Sequence, residues 1–71
     1  MNIDQCRMAR AALRLGVRDL ADLANVSPDT ISRLERGEAL KPSTRLKIRA
    51  ALEAAGVEFI DGNGGGVKLK G

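Results

Sequence analysis

Residues 17–36, VRDLADLANVSPDTISRLER, constrain this chain more than any other stretch. Apolar or small residues fall at Leu20, Ala21, Ala24, Val26, Ile31 and Leu34, and polar residues take most other positions. That spacing predicts two short amphipathic helices joined by a tight turn. Asn25 suits a left-handed residue ending the first helix. Ser27 suits the N-cap of the second, with Pro28 at its first position, where a missing N–H costs nothing. Val26 and Ile31 straddle that cap as a hydrophobic staple, and Leu15 and Leu20 do the same across Gly16. Such a pair cannot bury its apolar faces alone, so the rest of the chain must supply the packing surface. What the second helix leaves in solvent is the candidate working surface.

The flanks read as further helices. Residues 3–15 place Ile3, Cys6, Ala9 and Leu13 at helical spacing, with Asn2 as N-cap and Arg7 and Arg14 outside. Gly16 fits the N-cap of a helix over 17–24, whose start carries Asp19 and Asp22 where negative charge suits the dipole. The next helix stops at Gly37. After a loop over 38–42, Ser43 is read as the cap of a helix over 44–55, with Ile48, Ala51, Leu52 and Ala55 as its apolar stripe.

Beyond Gly56 the pattern changes. Residues 57–60 (VEFI) are β-rich and 67–70 (VKLK) alternate strictly, with the turn-forming DGNGGG between them. This predicts a hairpin, or two strands paired with another chain. Phe59, the sole aromatic residue, is its expected anchor. Residues 1–56 are read as one helical domain and 57–71 as a dimerisation element using Val57, Phe59, Ile60, Val67 and Leu69. A short chain with an exposed strand edge favours a homodimer; a monomeric hairpin over the helical core is the alternative.

Composition narrows the chemistry. The chain has 71 residues, no His and one Cys. An internal disulfide, a zinc finger and a Cys–His catalytic pair are therefore all out of reach. Cys6 is read as a small buried hydrophobe. No enzyme activity, metal, cofactor or small-molecule ligand is expected. Asp4, Arg7 and Arg10 interrupt any apolar leader, and the longest apolar stretches are far too short for a bilayer, so a cytoplasmic location is the expectation. Net charge is +3. It concentrates in residues 33–49, where Arg33, Arg36, Lys41, Arg45, Lys47 and Arg49 face only Glu35 and Glu38. Such a block fits phosphate contacts, and charge alone leaves a plain solvated surface equally open.

The stretch LADLANVSPDTISRLERG resembles the helix-turn-helix of the Cro and phage-repressor family, also called the XRE family. The resemblance covers residues 17–37 and extends with its flanking helices to about Gly56. It implies a mainly α fold: a four-to-five-helix Cro/repressor-like helix-turn-helix domain, here followed by a short C-terminal β-hairpin or strand pair. It implies a bacterial or phage-encoded protein that binds double-stranded DNA, with the helix at 28–36 in the major groove. Carried over by position, base contacts fall on Ser27, Pro28, Asp29, Thr30 and Arg33. The resemblance implies phosphate contacts at Lys41, Ser43 and Arg45, and Arg18 and Arg36 are further phosphate candidates. A structural ion pair falls on Arg10 and Glu35. An Asp29–Arg33 pair along the helix is the bland alternative for those two residues. Val17 stands where the family often has a phosphate-binding Gln, and Arg18 is the candidate replacement. The expected function is a small transcriptional regulator. A protein-interaction module, such as an antitoxin whose C-terminal strands bind a partner protein, is the alternative.

Overall fold

The structure is a computed structural model that describes residues 1–62 and 65–70. Among the described residues, four helices precede a two-stranded sheet: α1 (Ile3–Ala12), α2 (Val17–Ala24), α3 (Pro28–Glu35), α4 (Pro42–Ala54), β1 (Val57–Ile60) and β2 (Gly66–Leu69). The fold is mainly helical with an antiparallel hairpin at its C-terminal end, in the class the sequence predicts. Two residues of the predicted turn, Asn63 and Gly64, lie outside the described residues. No helix among the described residues is long and apolar enough to cross a membrane.

The helix ends follow from local chemistry. Asn2 and Gln5 form a reciprocal capping box at the start of α1, at 2.7 and 2.9 Å. The Asp19 carboxylate accepts the Gly16 N–H at 2.8 Å, which fixes the entry to α2. Ser27 Oγ accepts the Thr30 N–H at 3.2 Å, with Pro28 opening α3.

Three of the helices end in the same way. At Arg14, Asn25 and Gly37 the backbone turns left-handed, with φ of 57°, 56° and 91°. Each turn carries the paired hydrogen bonds of a Schellman ending. Leu15 N–H reaches the Arg10 carbonyl at 2.8 Å, Val26 N–H reaches Ala21 at 2.9 Å, and Glu38 N–H reaches Arg33 at 3.0 Å. The first of these ends α1 earlier than the predicted 3–15, because Arg14 takes a backbone conformation uncommon for a long side chain. At α4 the prediction is also corrected. Pro42 takes the first helical position and Lys41 the cap, so Ser43 lies inside the first turn.

One core gathers these elements. Cys6 and Ala9 of α1, Leu20, Ala21 and Ala24 of α2, Ile31 and Leu34 of α3, Ile48 and Leu52 of α4, and Val57 and Phe59 of β1 are all buried together. α2 packs on α3 and α4, α1 packs on α3, α4 and β2, and β1 packs on α4. Ala21 is fully buried, so its small side chain allows α3 to cross close to α2. Burial of this apolar surface is the main stabilising term, at about 25 cal/mol per Å².

The hairpin pairs within the chain. Val57 faces Leu69, Glu58 faces Lys68, Phe59 faces Val67 and Ile60 faces Gly66. The side chains of Val57 and Phe59 point into the chain's own core, and Val67 packs against it. Ile60 and Leu69 remain about half exposed, at 47% and 50%. β2 begins at Gly66, one residue before the predicted strand.

Gln5 ties this hairpin to the helices. Its Nε2 donates to the Ile60 and Gly66 carbonyls, each at 3.1 Å, while its Oε1 holds the Asn2 N–H. A two-stranded hairpin is marginal by itself in water. Here it gains both an apolar floor and two charge-free anchors from a buried amide.

Candidate nucleic-acid interface

The exposed surface of α3 begins at its cap. Ser27, Pro28 and Asp29 are exposed, and Thr30 and Arg33 are half-buried. Ser27 Oγ and Thr30 Oγ1 are 2.9 Å apart, so the two hydroxyls are already bonded to each other. Arg33 does not pair with Asp29. Its Nε instead donates to Glu38 Oε1 at 3.3 Å, and Arg36 Nε and Nη2 both reach Glu38 Oε2, at 3.0 and 2.8 Å. One carboxylate thus bridges two guanidinium groups at the end of the helix. It sits beside them because Gly37, at φ 91°, folds the chain back over the last turn. Arg36 first and Arg33 second hold the Glu38 carboxyl below its ordinary range.

Next to this cluster lies a recess of about 300 Å³ lined by Thr30, Arg33, Ala39, Leu40, Lys41 and Thr44. It joins the recognition-type helix to the start of α4. Two hydroxyls and two cations therefore face one concave surface, a chemistry suited to base edges and phosphate oxygens. Ser43 is exposed beside it in the first turn of α4. Arg18 is exposed at the start of α2.

Arg45 sits elsewhere. Its Nη2 donates to the Met1 carbonyl at 2.6 Å, and it lines a second recess of about 280 Å³ with Met1, Pro42, Leu46 and Arg49. Arg49 is also occupied: it pairs with Glu53 at 3.5 Å and lies 5.4 Å from the centre of the Phe59 ring. Lys47 donates to the Asn25 carbonyl at 3.3 Å, placing positive charge at the C-terminal end of α2. Half of the basic block thus serves packing and helix ends.

Behind α3 the scaffold is fixed by charge. Glu35 accepts Arg10 Nε and Nη2 at 2.9 and 2.8 Å. Arg7 Nη2 donates to the Glu35 backbone carbonyl at 2.7 Å. Cys6 Sγ lies 3.7 Å from Glu35 Oε2. The Arg10 hydrogen bonds lower the Glu35 carboxyl against the opposing effect of burial. Burial, followed by the charge of Glu35, pushes the Cys6 thiol up to about 12. These contacts hold α1 against α3.

Sequence reasoning passed over Glu38, Thr44 and Gln5. Glu38 carries no signal without the handedness of the Gly37 turn. Gln5 did carry one, since Asn2 followed three residues later by Gln is a capping-box pattern.

Two short helices crossed over a tight turn, the second exposed and flanked by cations, define a helix-turn-helix protein. The chain belongs to the helix-turn-helix domain family, whose profile matches residues 4–58. This is a DNA-binding, non-enzymatic domain type. No match was found among curated proteins.

Proposed function

We propose that this chain is a sequence-specific double-stranded DNA-binding protein of the Cro and phage-repressor type, acting in the cytoplasm as a small transcriptional regulator. The recess shared by Thr30, Arg33, Lys41 and Thr44 carries this reading. In it, α3 enters the major groove. Ser27, Thr30 and Arg33 approach base edges, Asp29 accepts from a base amino group, and Pro28 offers only an apolar contact, for example to a thymine methyl. Arg18, Arg36, Lys41 and Ser43 contact phosphates, which add affinity without reading sequence. Arg45 joins them on giving up its bond to the Met1 carbonyl.

The hairpin serves as a dimerisation element in this reading. Val57, Phe59 and Val67 act indirectly by seating it on the core, while exposed Ile60 and Leu69 and the open strand edges form the contact. A dimer sets two recognition helices about one DNA turn apart, on a palindromic site. Light scattering on a gel-filtration peak tests this part, and a monomer at high concentration contradicts it. Selection of bound duplexes from a random pool at defined salt tests the whole. An enriched motif with two-fold symmetry is expected; a pool that stays random removes the proposal.

A further inference from the structure

The triad at the end of α3 has a geometry that goes beyond charge balance. Glu38 holds Arg33 at both ends: its backbone N–H donates to the Arg33 carbonyl at 3.0 Å, and its carboxylate accepts Arg33 Nε at 3.3 Å. Among the described residues, no hydrogen bond uses the two terminal amino groups of Arg33. Those groups are the ones that pair side by side with a guanine edge. Arg36 is held differently. Its Nε and Nη2 both point at Glu38 Oε2, which occupies one edge of the guanidinium and leaves Nη1 for a phosphate.

We propose that Glu38 is a specificity-determining positioning residue. Its carboxylate holds Arg33 by Nε, leaves the terminal amino groups free for a base, and limits Arg36 to phosphate contact through its remaining edge. This rests on the DNA-binding reading above and adds to it a residue that touches no DNA. The physical basis is twofold. Holding Arg33 in advance removes part of the side-chain entropy that base recognition otherwise costs. A fixed negative charge beside the groove weakens binding to every duplex alike. Specific complexes recover the first effect, and non-specific complexes feel only the second. The carboxyl is ionised at neutral pH, as an exposed glutamate is, and Arg36 and Arg33 lower it further.

The test is a double-mutant cycle on Glu38→Gln and Arg33→Ala. The probes are the selected duplex, the same duplex with the base pair read by Arg33 exchanged in both half-sites, and a scrambled duplex. Gln keeps the shape of Glu and removes its charge. Glu38→Gln is expected to bind the scrambled duplex about two- to fivefold more tightly, with a steeper salt dependence. It is also expected to lose about two- to fivefold of discrimination at the base pair that Arg33 reads in each half-site, with no loss elsewhere. In the Arg33→Ala background, Glu38→Gln is expected to change discrimination no further. Unchanged discrimination in Glu38→Gln overturns the role of Glu38 and leaves DNA binding standing, as does an equal change with and without Arg33. A wild-type protein that prefers no sequence overturns the DNA reading and this inference together.

Discussion

Glu35 receives both Nε and Nη2 of Arg10, at 2.9 and 2.8 Å, across the interface between α1 and α3. The Glu35 side chain is only 9% exposed and that of Arg10 24%. The pair is therefore a largely desolvated one, and its loss differs from the loss of a surface bridge. Removing one partner strands a charge, whereas removing both does not.

Arg10→Met leaves the Glu35 carboxylate facing Cys6 with much of its compensation gone. A destabilisation of about 3 kcal/mol is expected in urea unfolding. Adding Glu35→Leu to it is expected to recover most of that loss. If the double variant is as unstable as the sum of the single ones, the two residues act independently and the pairing carries no coupling.

Acidification probes the same pair. The folded Glu35 carboxyl titrates below its ordinary 4.5, chiefly through the Arg10 hydrogen bonds. Its contribution is fully present above the unfolded value and is lost as pH falls through the folded one. Urea midpoints of the wild type are thus expected to fall below about pH 5. In Arg10→Met the chief lowering cause is gone and burial is opposed only by Cys6 and Arg7, so the acid sensitivity contributed by Glu35 is expected to shrink. A variant whose midpoint falls with acid as steeply as the wild type's would place the shift on other groups.

Cys6 is fully buried, and its thiol is pushed up to about 12. Thiolate is therefore scarce at neutral pH and has no route to reagent. Native protein is expected to resist thiol-specific alkylation, with labelling at the rate of unfolding. Labelling within seconds in the native state would show that the α1–α3 contact opens readily.

Gln5 binds the hairpin to α1 through the Ile60 and Gly66 carbonyls. Gln5→Leu removes those bonds and the Asn2 contact, and a loss of about 2 kcal/mol is expected. Amide exchange in β1 and β2 is expected to accelerate more than exchange in α2 and α3. Uniform acceleration would mean that the hairpin has no separate opening to release.

The helix-turn-helix was legible because local rules agree there. Ser27, Pro28 and Ile31 each point to the same start of α3, and Leu20, Ala21 and Ala24 to the same buried face. Where one residue could serve two rules, sequence reading faltered. Ser43 resembles a cap, yet Pro42 has its φ fixed for the first helical position and takes the helix start one step earlier. Arg14 looks like helix surface, yet it occupies the left-handed position that Asn25 and Gly37 advertise by type.

The interface shows the same division. Thr30, Arg33 and Lys41 come together around one recess, as neighbours that helix spacing and a short loop nearly impose. Arg45 is drawn to the Met1 carbonyl, a partner forty-four residues away that no local pattern reveals. Glu38 escaped notice because its position depends on the turn at Gly37. The hairpin was visible as two strands, but its pairing within the chain depends on Gln5 and the floor beneath Phe59.

The division of labour between α3 and its flank is tested most directly by comparing Arg33→Ala with Lys41→Ala on the selected duplex and its single-base variants, over a range of salt. Arg33→Ala is expected to lose about 1–3 kcal/mol and to relax preference at one position of each half-site. Lys41→Ala is expected to weaken all sequences alike and to lower the salt slope by about one. The same loss of preference and the same change in slope from both variants would contradict the assignment of readout to α3 and of affinity to its flank.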